Sequence, residues 1–145
     1  FTAKPLVAQL VGPGYKLWAR LFDEVLAEAK FGHDVANFKG SARVDRLVGT
    51  ATDVTLSGTN VLTAFANHAR FFDEINADAV AAEDEAILTD ALVDQATYGP
   101  PEGVSLENLA QILWLNKFEA VELSKTGTGE TTDINGVDRI FACWE

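Results

Sequence analysis

The sequence predicts a single all-α domain, residues 1–145, built as a bundle of four to five principal helices with a short irregular or β-hairpin tail over 126–145. Two observations carry that reading. Apolar residues recur at steps of three and four along most of the chain, the spacing that lines one face of a helix. Turn-forming breaks, "GPG" at Gly12–Gly14 and "YGPPEG" at Tyr98–Gly103, separate the periodic stretches.

The first predicted helix runs over Ala3–Val11, with Lys4-Pro5 at its start, where proline is tolerated. In the second, Tyr15, Trp18, Phe22, Val25 and Ala29 form a stripe opposite Lys16, Arg20, Asp23, Glu24 and Glu28, and Gly32 ends it. "HDVANFKG" reads as a turn or short helix. Ser41 caps a brief helix through Val48. Thr50–Asn60 is rich in β-branched and turn residues and reads as a loop or short extended piece. A helix over Asn60–Asn76 follows, with Val61, Phe65, His68, Phe72 and Ile75 on one face. The next covers Ala82–Thr97, its first turn holding Glu83, Asp84 and Glu85, where the helix dipole favours carboxylates. Ser105 then caps Leu106–Leu123, a helix apolar nearly all round. In the tail, Asn135-Gly136 between Ile134 and Val137 is a hairpin signal. No internal repeat is read.

Composition narrows the function. A net charge of −11 argues against nucleic acid, whose phosphates require clustered Lys and Arg. No stretch approaches eighteen uninterrupted apolar residues, so no membrane-spanning helix is expected. One cysteine, Cys143, and two distant histidines leave neither an internal disulfide nor a four-ligand zinc site. Phe1 is not an initiator, and a processed N-terminus fits a secreted or organellar protein. The charge is also uneven. Residues 1–70 hold eight Lys/Arg against six Asp/Glu, a net +2, whereas residues 71–145 hold three against sixteen, a net −13.

The candidate chemistry is sparse. His68 between Phe65 and Phe72 reads first as a packed ring, and otherwise as a wall of an apolar-ligand or pigment site, including the axial ligand of a tetrapyrrole. No cofactor is assigned. Asp90 and Asp94 read as a solvated acidic face, because no Ca²⁺-loop pattern surrounds them. "TGTGE" at Thr126–Glu130 lacks the lysine of a phosphate loop, and no G-x-S-x-G elbow exists. Lys39, Arg43 and Arg46 form the basic cluster, and Trp114, Leu115 and Phe118 are the expected apolar contacts of the last helix. The sequence therefore predicts a non-enzymatic interaction or assembly subunit, associating through an apolar helix face and its oppositely charged halves. A helical carrier of an apolar ligand is the alternative. An enzyme pairing His68 with a carboxylate from another helix is the second.

Overall fold

The structure is a computed structural model that describes residues 1–50, 52–59, 63–81, 83–89, 95–99, 103–107, 112–125 and 139–144. It is all-β: among the described residues there are strands and turns and no helix. This overturns the all-α helical bundle, with its helices over Ala3–Val11, Tyr15–Ala29, Ser41–Val48, Asn60–Asn76, Ala82–Thr97 and Leu106–Leu123. The Asn135-Gly136 hairpin lies outside the described residues.

The strands are β1 (Thr2–Lys4), β2 (Val7–Gly12), β3 (Tyr15–Arg20), β4 (Glu24–Glu28), β5 (Val35–Lys39), β6 (Asp45–Gly49), β7 (Asp53–Thr59) and β8 (Ala64–Arg70). Then come β9 (Glu74–Asp78), β10 (Glu85–Thr89), β11 (Gln95–Gly99), β12 (Gly103–Glu107), β13 (Ile112–Asn116), β14 (Ala120–Lys125) and β15 (Arg139–Trp144). One sheet, A, has the order β11-β12-β13-β9-β5-β1-β2-β3; the other, B, has β15-β14-β10-β6-β7-β8-β4. The heart of each is a parallel ladder, β13-β9-β5-β1 in A and β15-β14-β10-β6 in B. From β3 to β14 the chain passes back and forth between A and B, and each return sets a strand beside an earlier one of the same sheet. Antiparallel strands β2-β3, β7-β8 and β11-β12 widen the sheets at their ends.

Sharp corners make these crossings possible. Leu21, Phe71 and Lys117 sit between strands of different sheets in the left-handed region, with φ of 59°, 60° and 63°. Leu6, φ 59°, makes the same turn between β1 and β2, and its carbonyl accepts the Leu21 N–H at 2.8 Å. Such φ values cost a non-glycine residue about 1–2 kcal/mol, and here a buried apolar side chain follows two of them, Phe72 and Phe118. "RLFDEV" at Arg20–Val25 and "RFFDEI" at Arg70–Ile75 put similar residues at two such corners, the first leading from A to B and the second from B to A.

Strand alternation decides what is inside. On β8, Phe65, Asn67 and Ala69 are buried while Ala66, His68 and Arg70 lie on the outer face. Between the sheets lies a core whose fully buried members include Phe38, Leu47, Leu56, Ile75, Leu88, Leu113 and Leu115. Phe1 packs on it edge-on to Phe38, with ring centroids 6.2 Å apart, and 6.0 Å from Phe72. Nine further core positions are alanines, among them Ala3, Ala36, Ala69, Ala77 and Ala86.

Candidate functional site

The structure separates the residues that the sequence groups around His68. Residues three apart on a strand face opposite ways, so Phe65 points into the core and His68 out of it, while Phe72 is buried at the corner beyond β8. The basic cluster is likewise spread: Lys39 lies on the outer face of sheet A, Arg46 on the outer face of sheet B, and Arg43 on the arch between them. Of the expected apolar contacts, Leu115 and Phe118 belong to the core, and Trp114 remains 41% exposed.

His68 has polar neighbours that the sequence did not reveal, both on other strands. Its Nδ1 lies 2.8 Å from Thr55 Oγ1 on β7, and its Nε2 lies 3.2 Å from Glu24 Oε1 on β4. The second contact is close enough for attraction but is not aligned as a hydrogen bond. Beside it, Arg70 pairs with Asp53 at 2.9 Å. Cross-strand pairs of this kind are the ordinary stabilising unit of a sheet surface, and they account for the row. No group of three or more His, Cys, Asp or Glu side chains among the described residues is placed to hold a metal ion.

Where β5 turns into β6 and β9 into β10, two carboxylates are buried, Asp45 and Asp84. Each closes its own arch by accepting backbone N–H groups from the residues before it. Asp45 takes the N–H of Ser41 and, at 2.9 Å, its hydroxyl. Asp84 takes Val80 N–H at 2.8 Å and Ala81 N–H at 3.0 Å with one oxygen, and Asp45 N–H at 2.8 Å with the other. The rungs are thereby stitched: Asp84 holds Asp45, and the Asp84 carbonyl accepts Glu119 N–H at 3.0 Å. Gly58 has to be glycine, since a Cβ there would overlap the Asp45 carboxylate.

Burial pushes the Asp45 carboxyl up, the Ser41 hydrogen bonds pull it back, and the negative Asp84 adds to the rise. A folded value above the unfolded one means that the folded chain binds the proton more tightly. The ionised Asp45 therefore opposes folding at neutral pH, and the penalty vanishes as pH falls through the raised value. Asp45→Asn keeps the shape, and the Ser41 hydroxyl adapts to an amide. We expect this variant to be more stable than the parent at pH 7, with the advantage shrinking on acidification. Urea unfolding across pH 4–7 checks this (roughly the carboxylate range and above); a difference independent of pH would contradict it.

The feature that stands apart is the end of the stack formed by β3 and β4, the outermost strands of sheets A and B. The register Ala8↔Ala19, Leu10↔Leu17, Gly12↔Tyr15 puts Tyr15, Leu17 and Ala19 on the face of sheet A that, farther in, forms the core. Yet Leu17 is 58% exposed and Tyr15 49%. Tyr15 lays its ring over Gly12, filling the space of the missing side chain. On the other face of β3, Lys16 and Arg20 straddle Trp18, at 4.8 and 5.0 Å from its ring centre. Phe22 at the corner, Leu26 on the outer face of β4 beside His68, and Phe31 in the loop after β4 are further exposed apolar side chains of this end. On β8, next to Val25 of β4, the buried amide nitrogen of Asn67 has no hydrogen-bond partner. The core runs out to this end and is left exposed, and among the described strands β3 pairs only with β2 and β4 only with β8.

Among the described residues no helix is long and apolar enough to cross a membrane. Comparison with protein-family models, with curated proteins and with solved structures finds no match.

Proposed function

We propose that this chain is a non-enzymatic assembly subunit that associates through the uncovered β3–β4 end of its two-sheet stack. The observation that carries this is the exposure of Tyr15 and Leu17 on the inward-facing side of β3. Large apolar side chains gathered in the open at one end of a fold mark an interaction surface, and edge strands offer a template for backbone pairing. The oppositely charged halves, +2 over residues 1–70 and −13 over 71–145, supply attraction and orientation. The apolar surface is thus a sheet end in the first quarter of the chain, in place of the helix face expected near Trp114.

Sedimentation velocity tests this. The mass is expected to rise with protein concentration at low salt. It should fall back as ionic strength increases from about 0.01 to about 1 M, which shortens the screening length from ~30 to ~3 Å. A chain that sediments as a monomer at low salt and high concentration overturns the proposal.

A further inference from the structure

Resting on that reading, we propose that the partner is a second copy of this chain bound head to tail, with β11 and β15 of one copy pairing in parallel with β3 and β4 of the next. Strand polarity is the first argument. In sheet A, β3 is antiparallel to β2 and β2 to β1, so β3 runs with the parallel ladder; β11, two antiparallel steps beyond β13, runs the same way. In sheet B, β4 runs with β8, which is two antiparallel steps from β6, and β15 runs with β14. Both sheets therefore end, at both ends, in edge strands of one common direction. A second copy placed along the stacking axis meets each edge in the geometry that the ladders already use, and both sheets continue. Such a contact is heterologous: repeated along the stacking axis it makes an open fibre, and a ring only where the rotation between copies closes.

The register carries the argument further. One row of register partners crosses the whole of sheet B, Leu26–His68–Thr55–Val48–Ile87–Glu122–Phe141, each residue beside the next. The row that leaves at Phe141 is the row that begins at Leu26. Two residues farther along the same strands stand Cys143 and Glu28.

Charge disfavours the competing twofold arrangement. Pairing β3 with β3 of another copy about Trp18 sets Lys16 opposite Arg20, twice. Like charges directly opposite are destabilising, and cations on an edge strand are a known guard against such pairing. Head-to-tail contact avoids this clash, because β11 carries no charged residue and the one charged residue of β15, Arg139, belongs to a strand that meets β4 with its Glu24 and Glu28.

Cys143 is the single cysteine, which makes the test direct. The exposed Glu28 is replaced in a Glu28→Cys variant, and parent and variant are treated at an associating concentration with diamide, which takes up the two electrons as two thiols join. The expected result is a ladder of disulfide-linked species for E28C, with peptide mapping finding the 28–143 linkage, and a parent that stays a single band in a denaturing gel. Links of 143 to 143 or 28 to 28 alone overturn the head-to-tail arrangement. So does a lack of any link in E28C, and in a Leu26→Cys variant two residues away, when sedimentation shows the parent to be associated. A parent that never associates removes the proposed function itself, which keeps the two failures distinct.

Discussion

Asp84→Ala is expected to lower the stability of the fold by about 3–5 kcal/mol, the largest effect of a polar substitution among the described residues. The carboxylate is fully buried and accepts three backbone N–H groups, from Val80, Ala81 and Asp45. Alanine leaves all three without a partner in a place where water does not replace it, and each orphan costs roughly 1–3 kcal/mol. Two arches are affected, because the bond to Asp45 N–H ties the β5–β6 crossing to the β9–β10 crossing. Asp84→Asn is expected to lose nearly as much. Both oxygens of Asp84 face N–H donors, so an amide puts one of its own donors against another. Asp45→Asn differs because its second partner is a hydroxyl. Thermal unfolding checks the contrast: the two Asp84 variants melt about 10 °C lower, at about 2–4 °C per kcal/mol for a chain near this size, and Asp45→Asn does not. Equal behaviour at both positions would contradict this account of the arches.

Leu17→Lys is expected to weaken self-association about 100-fold while leaving the isolated chain folded. Leu17 is 58% exposed on β3, so little core is lost within one copy. In the assembly the same side chain is covered, and burial of a leucine is worth about 1.5–3 kcal/mol. That sets the scale, since 2.7 kcal/mol is about 100-fold in affinity. Charge alone does not explain such a loss, because residues 15–31 carry three cations, Lys16, Arg20 and Lys30, against three carboxylates, Asp23, Glu24 and Glu28, and are neutral in sum. The matched control is Thr52→Lys, on the turn before β7 and away from β3, which adds the same charge and is expected to leave association unchanged. Sedimentation equilibrium of both variants measures the effect; equal weakening by the two would show that the apolar face of β3 is not the contact.

The sequence reading located the breaks in the chain better than the elements between them. Gly12–Gly14 does turn the chain, between β2 and β3, and Gly32 lies between β4 and β5. The helical stripes arose from strands of five to seven residues joined by tight corners. Phe65 and Ile75 face inward on β8 and β9, Phe72 fills the corner between them, and His68 falls on the stripe only by spacing. A corner at Phe71 resets the two-residue period, and two resets close together imitate steps of three and four. The alanines deepened the disguise. Ala36, Ala69, Ala77 and Ala86 are core residues of strands, but alanine is the best helix former and a weak marker of burial. One sign of strands and corners does stand in the sequence, the recurrence of "RLFDEV" as "RFFDEI" fifty residues on, a spacing within the range of stacked repeats.

The site was legible in part. The uneven charge and the expectation of an apolar association surface come from composition, and they remain the basis of the proposed function. The surface itself was assigned to Trp114, Leu115 and Phe118, whereas Leu115 and Phe118 are buried in the core. An end of a stack is not marked in sequence: Tyr15 and Leu17 are patterned as core residues, and only the order of strands shows that nothing covers them. The contacts of His68 with Glu24 and Thr55 were hidden for the same reason, since strand neighbours lie forty-four and thirteen residues away.

Amide hydrogen exchange followed as a function of protein concentration tests the central claim most directly. In dilute solution the outward-facing amides of β3 and β4 should exchange quickly while those of β5, β6, β9 and β10 stay protected. On concentration at low salt, β3 and β4 should become protected as the sheets are continued by a neighbour. Protection of β3 and β4 that is the same at every concentration, in a chain that associates, would place the contact elsewhere and contradict the account.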